Sequence, residues 1–317
     1  MKFWKDGQSA QNRCCSTESE KMARLVAQKI GIPFYVLNVE KEFKKKVVDY
    51  FLKEIKEGKT PNPCVVCNKE IKFGLLLEKA MKLNADYVAT GHYAINKNGK
   101  ILKGKDKNKD QSYFLWKLDQ KKLAHVMFPV GNYKKLKVRK LAGKFNLPTA
   151  ETPESQEICF INGSTNDFIK KYLKPKGGNI VDKKGVILGS HEGLQFYTIG
   201  QRKGIKLSGG PYFVTGKDFK KNNLIVSNNE KDLFQKELFA KDVNWVSKTK
   251  LKFPLKVMAK IRYRSALVSA VVSKMKDSRY KIQFRKFQRA VTPGQSVVFY
   301  KGEELLGGGV IDGKQQF

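Results

Sequence analysis

Residues 17–93 alternate between helical periodicity and short apolar runs, and this alternation restricts the amino-terminal half to an α/β architecture with a parallel sheet. Thr17-Glu18-Ser19-Glu20 fits a capping box, in which a hydroxyl and a carboxylate satisfy the first orphan amides of a helix. Met22, Leu25, Val26 and Ile30 then share one helical face, and Gly31 stops the helix. Residues 33–39 read as a buried strand. Phe43, Val47, Phe51 and Ile55 form a second stripe, closed by Gly58. Residues 60–68 read as a loop that opens a helix near Asn68. That helix runs through Leu75, Leu76, Lys79 and Leu83, and 86–90 is a short strand ending at Gly91-His92-Tyr93. Parallel sheets bind ligands beyond the carboxyl ends of their strands, where residues 60–68 and 91–93 are both expected.

The texture changes near residue 163. Glycine becomes frequent and strands short. From about 237 the pattern is β-rich, with strands expected at 255–262, 266–273, 280–284 and 296–300, as in a small barrel or sandwich. The expected domains are therefore 1–162, 163–236 and 237–317. Residues 96–110, rich in Lys, Asn and Gly, read as a mobile surface loop.

No apolar run is long enough to span a bilayer, and Met1-Lys2-Phe3-Trp4-Lys5-Asp6-Gly7 is unlike a secretory signal, so a cytoplasmic protein with no membrane partner is expected. The net charge of +34 favours a nucleic-acid partner, because each cation placed at a phosphate releases counterions. Only nine of the 63 basic residues are Arg, so a lysine-rich coding bias accounts for the same skew without an evolved groove. The five cysteines, Cys14, Cys15, Cys64, Cys67 and Cys159, are too few and odd in number for a disulfide framework. Cys14 and Cys15 read as packing residues.

The sharpest local feature is Thr60-Pro61-Asn62-Pro63-Cys64-Val65-Val66-Cys67-Asn68-Lys69-Glu70. Two prolines stiffen the chain ahead of a C-x-x-C, and a helix opening after it would favour the Cys67 thiolate. Structural zinc, an iron–sulfur cluster with Cys159, a thioredoxin-like pair and thiol chemistry between Cys67 and Cys159 all remain open on spacing alone. Cys159, within Ser155-Gln156-Glu157-Ile158-Cys159-Phe160-Ile161, also reads as an ordinary buried cysteine. Asp110, ahead of Gln111-Ser112-Tyr113-Phe114-Leu115, reads as a helix N-cap. His92 after its strand reads more simply as structural than as catalytic.

Together these segments resemble the tRNA 2-thiouridylase (MnmA/TrmU) family. The resembling stretches are residues 60–73 (TPNPCVVCNKEIKF), 89–93 (ATGHY), 109–115 (KDQSYFL), 128–131 (FPVG), 155–161 (SQEICFI), 193–204 (GLQFYTIGQRKG), 291–300 (VTPGQSVVFY) and 306–309 (LGGG). They occur in family order over nearly the whole chain. The resemblance implies an ATP-pyrophosphatase-like catalytic domain, a small central tRNA-binding domain and a carboxy-terminal β-barrel. It also implies ATP- and magnesium-dependent 2-thiolation of a wobble uridine in tRNA (Lys, Glu and Gln acceptors). The base is activated as its adenylate, and a persulfide supplied by a cysteine desulfurase or relay protein then delivers sulfur.

By the same resemblance, Cys67 is the nucleophile and Cys159 the persulfide carrier, the two forming a disulfide when sulfur is released. Asn62, Pro63 and Cys64 lie against the flipped-out base, and Met1 and Gly91 touch ATP. His92, Lys109, Asp110, Gln111, Arg262, Tyr263 and Gln295 contact tRNA. The sequence departs from the family pattern in two ways. Cys64 stands where many members have an acidic residue, which raises the alternative of a [4Fe-4S] cluster on Cys64, Cys67 and Cys159. The family's opening strand and Ser-Gly-Gly-Val-Asp-Ser pyrophosphate loop are not found in the sequence. The expectation that follows is a chain truncated at its start, and the alternative function is a catalytically inactive tRNA-binding fragment.

Overall fold

The structure is a computed structural model that describes residues 1–6, 16–152 and 158–313. The described chain forms two compact units. The first comprises residues 1–50, 63–168 and 303–305, and the second the remainder.

In the first unit, strand Val88–Ala89 pairs in parallel with Val126–Met127, and Lys2 makes a parallel bridge to Asn38. Residues 33–39 depart from the buried strand expected of them. Tyr35 is 85% exposed and Val36 43%, and only Val39 is fully buried. Lys2 is their one strand partner among the described residues, and an extended segment paired at a single bridge has little to bury its side chains against. The first helix, Thr17–Lys29, starts one residue earlier than the capping box suggests, because Ser16 Oγ accepts the Ser19 amide at 3.0 Å. Its apolar stripe is mostly uncovered, with Leu25 and Ile30 each 53% exposed and Ala27 the one buried residue.

The second stripe is buried throughout, at Phe43, Val47, Phe51 and Ile55. An apolar residue every fourth position drifts around an ideal α-helix of 3.6 residues per turn. Here Lys44–Val48 is wound as a wider π-helical turn, which offsets that drift. Residues 63–82 form one continuous helical run, α-helical over Pro63–Cys67, π-helical over Asn68–Leu75 and α-helical again over Leu76–Lys82. Leu83 lies beyond its end and is 82% exposed.

Residues 96–110 are not a loose loop throughout. Ala94–Lys97 and Lys100–Lys103 form an antiparallel hairpin around Asn98-Gly99, whose φ values of 53° and 77° suit a tight two-residue hairpin turn. This hairpin is held against its surroundings by close backbone approaches. A Cβ at Gly131 would overlap the Ala94 carbonyl, and one at Gly104 would sit 2.5 Å from the Tyr93 oxygen.

The second unit holds two sheets. In the four-stranded sheet the order is Ile187–His191, Gly178–Val181, Asn223–Ser227, Phe213–Asp218, with the middle pair parallel. Six strands form the barrel: Phe234–Trp245, Leu255–Lys260, Val268–Lys274, Tyr280–Arg289, Ser296–Lys301 and Glu304–Ile311, closed by pairing of the last two. Its interior is a single apolar cluster built on Leu238, Val257, Val272, Ile282, Phe299 and Ile311. Four of these strands are those expected from the sequence. No described helix is long and apolar enough to cross a membrane.

Candidate active site

The helical run that starts at Pro63 sets the site. Proline suits the first position of a helix, where its missing N–H is not needed. The start lies five residues before the one expected at Asn68. Cys64 therefore falls in the first turn and is exposed, whereas Cys67 comes a turn later and is 8% exposed. The positive end of the helix dipole lies nearer Cys64 than Cys67, contrary to the sequence expectation.

Cys64, Cys67, Asn68 and Lys72 line one cavity of about 180 Å³ in the first unit, together with His92, Gln111, Phe114 and Cys159. The π-helical winding from Asn68 matters here. Lys72 follows Asn68 by four residues, a spacing that shares a face even in an α-helix, and the wider i→i+5 turn swings it further toward the side of Cys67. Phe43 and Phe160 form part of the wall, with ring centroids 5.8 Å apart and the planes steeply inclined. Cys64, Cys67 and Cys159 are all present as thiols.

His92 is 8% exposed and packs with Phe73 and Phe128 in a three-ring cluster, its ring centroid 5.7 Å from each. Its Nδ1 lies 2.7 Å from Thr90 Oγ1. Burial, reinforced by the Lys72 charge, pushes its pKa down to about 3, so the ring is neutral throughout the physiological range. It can offer a base edge a ring or a hydrogen bond but brings no charge for a phosphate. The same burial makes the fold acid-sensitive. An unfolded His takes up a proton near pH 6.5, whereas the folded one resists down to about 3. The stabilisation is thus complete above pH 6.5 and is lost as pH falls toward 3. Between pH 7 and pH 5 the wild-type chain is expected to lose about 2 kcal/mol more than His92→Leu, measured by urea unfolding at each pH.

Gln111 is fastened twice to Tyr93: its backbone N–H donates to the Tyr93 carbonyl (2.8 Å), and its side-chain Oε1 accepts from the Tyr93 backbone N–H (3.0 Å). Asp110 is buried and its carboxylate is engaged internally, accepting from Gly104 N, Ser112 N and Ser112 Oγ at 3.0–3.1 Å. It shapes the turn that leads into Ser112–Leu115, close to its local reading as a helix-opening residue. Lys109 is partly exposed in that turn.

The remaining candidates lie outside this cavity. Gly91 is exposed, with open space where a Cβ would stand, and Met1 lines a separate cavity with Phe34 and Tyr35. In the second unit, Arg262 donates to the Arg289 carbonyl at 2.6 Å, and the Tyr263 carbonyl accepts from Lys260 Nζ. Gln295 Nε2 donates to the Thr60 carbonyl at 2.8 Å, while the Thr60 amide donates to Pro293 O. Together these two bonds clamp the segment that leads to Asn62. Gln295→Ala is expected to cost about 1 kcal/mol in urea unfolding by stranding the Thr60 carbonyl. A fall in RNA affinity with stability intact would instead mark Gln295 as an RNA contact. Cys14, Cys15 and Ser155-Gln156-Glu157 lie outside the described residues.

Among the described residues no group of three or more Cys, His, Asp or Glu side chains is arranged to hold a metal ion. The three thiols share a cavity without forming such a group, so the structure does not gather them as cluster ligands.

Three family models match the chain: the tRNA methyl transferase HUP domain over residues 1–163, the tRNA methyl transferase PRC-barrel domain over 166–228, and the aminomethyltransferase beta-barrel domain over 235–311. The tRNA-specific 2-thiouridylase MnmA of Clostridium kluyveri is 46% identical across 98% of this chain and 90% of its own length. This chain belongs to the tRNA-specific 2-thiouridylase family. MnmA 2 of Clostridium tetani is 47% identical with the same coverage. MnmA of Halothermothrix orenii is 49% identical across 94% of this chain and 86% of its own length. The sequence singled out Cys64, Cys67, His92, Gln111 and Cys159, which the fold brings to one cavity, but passed over Asn68 and Lys72. Lys72 is one lysine among many until the fold sets it in the cavity wall, and an Asn beside a C-x-x-C carries no signal of its own.

Proposed function

We infer that this chain is a tRNA uridine 2-sulfurtransferase, which uses ATP to replace the C2 oxygen of a uridine in tRNA by sulfur. The observation that carries the reading is the meeting of Cys67 and Cys159, 92 positions apart in sequence, in the wall of one cavity of a domain that matches the family.

A urea-like carbonyl oxygen is a poor leaving group, so it must first be activated. The uridine C2 oxygen attacks the α-phosphorus of ATP and pyrophosphate leaves; magnesium enters with the nucleotide and offsets its charge. The terminal sulfur of a Cys159 persulfide attacks C2, and AMP departs with the original oxygen. The Cys67 thiolate then attacks Cys159 Sγ. The bond from Sγ to the transferred sulfur breaks, sulfur stays on C2, and a Cys67–Cys159 disulfide forms. A cellular thiol reduces it, and a sulfur-donor protein reloads Cys159. The natural substrates in this reading are tRNAs with a wobble uridine, those for Lys, Glu and Gln among them, and the reaction is assigned to the cytoplasm. Pro63 and Cys64 line the base site, Asn62 lies beside it, and C2 is reached after the base is flipped out. Met1 and Gly91 are assigned to the nucleotide, and Lys109, Gln111, Arg262 and Tyr263 to the RNA.

The test is 2-thiouridine formation, read by mass spectrometry of digested tRNA, with ATP, magnesium and a persulfide donor. It is run on the chain itself and on a version extended by the family's Ser-Gly-Gly-Val-Asp-Ser segment, each also after anaerobic iron reconstitution. Product without iron supports the persulfide route. Product only after reconstitution would move the three cysteines to cluster ligation. Tight tRNA binding with no product in any arm would leave an RNA-binding protein.

A further inference from the structure

Asn68 is 3% exposed and lines the cysteine cavity. Its Nδ2 donates to the Phe114 carbonyl at 3.1 Å, which fixes the orientation of the amide. Its Oδ1 has no hydrogen-bond partner among the described residues. A buried acceptor left open is costly, so one in a cavity wall calls for a ligand that donates to it. Gln111, in the same wall, supplies the complement: its Oε1 is occupied by the Tyr93 amide, which leaves Nε2 to donate.

We propose that Asn68 is a specificity-determining residue for the base, its Oδ1 accepting the N3–H of the target uracil. This rests on the sulfurtransferase reading above. An acceptor at Asn68 and a donor at Gln111 match the N3–H and carbonyl edge of a uracil. They oppose a cytosine, which presents a lone pair at N3 and an amino group at C4. The placement also suits the chemistry. C2 is bonded directly to N3, and Asn68 adjoins Cys67 in the chain, so a base held by its N3–H presents C2 toward the sulfur-bearing side chains.

The experiment measures the affinity of the full chain for anticodon stem-loop RNAs that differ only at the wobble position: uridine, 3-methyluridine or cytidine. It is done by fluorescence anisotropy without ATP and repeated with Asn68→Ala. Methylation at N3 removes the donor while leaving the RNA backbone unchanged. The wild-type chain is expected to bind the 3-methyluridine and cytidine RNAs about tenfold more weakly than the uridine RNA. In Asn68→Ala the three affinities are expected to converge to within about threefold. Equal preference for uridine in wild type and variant would overturn the role of Asn68 while leaving the base-binding site in place. Equal binding of all three RNAs by the wild-type chain would overturn the role without any need for a folded variant. Failure of the wild-type chain to bind any stem-loop would overturn the sulfurtransferase reading together with it.

Discussion

Replacing Cys67 or Cys159 with serine is expected to lower 2-thiouridine formation by at least ~10³-fold while changing tRNA affinity by less than about threefold. The physical reason is specific to each sulfur. A hydroxyl at position 159 cannot carry sulfane sulfur, so no persulfide forms there. A hydroxyl at 67 is un-ionised near neutral pH and cannot break the Cys159 disulfide bond to the transferred sulfur. Because the two act on one S–S bond, their losses do not add: the double variant should be no slower than the slower single variant. Mass spectrometry adds a second readout. Cys67→Ser should accumulate a persulfide, or a base adduct, on Cys159, whereas Cys159→Ser should accumulate neither. A Cys67→Ser chain with near wild-type turnover would remove this residue from the mechanism. Cys64 serves as the control. It is exposed at the helix start, and Cys64→Ser is expected to retain activity on the persulfide route but to lose it on a cluster route.

Gly131→Ala is expected to destabilise the first unit by about 3 kcal/mol or more, although the change adds a single methyl group. Gly131 donates its amide to Phe128 O and accepts from Lys105 N, so its backbone is held on both sides. The new Cβ would overlap the carbonyl of Ala94, which is itself fully buried at the start of the hairpin. Neither backbone can give way without losing hydrogen bonds. The strain also reaches the site, because Tyr93 precedes Ala94 and both tethers of Gln111 run to Tyr93. Urea unfolding followed by tryptophan fluorescence should show a lower midpoint for the first transition. Loss of less than about 1 kcal/mol would mean that the contact relaxes freely.

Much of this molecule is legible in its amino-acid sequence. The stripe at Phe43, Val47, Phe51 and Ile55 is buried as its spacing suggests, and four barrel strands lie where alternation and turns put them. These signals are local, since a side chain's burial repeats with the geometry of its own element. The Asn98-Gly99 turn is equally legible, but a lysine-rich composition suggests a loop and masks a strong hairpin signal. Family motifs single out Cys67 and Cys159, yet spacing alone leaves zinc, cluster and thiol chemistry standing.

What stays hidden in the sequence depends on partners distant along the chain. The exposure of residues 33–39 depends on which strands lie beside them, and an apolar run does not encode its neighbours. Asp110 reads locally as a helix-opening residue and by family resemblance as an RNA contact, and only the fold shows its carboxylate accepting from the Gly104 and Ser112 amides. Asn68 becomes a site residue only when the fold sets it in the cavity wall, with Phe114 taking one end of its amide and no described residue taking the other. The sequence by itself determined the family and the domain classes, and its motifs singled out the two cysteines of the proposed reaction, because these rest on residue identity and short-range periodicity. Only the tertiary structure decided which polar atoms are already satisfied and which still await a ligand, because hydrogen bonding inside a fold is settled between segments that the chain brings together only on folding.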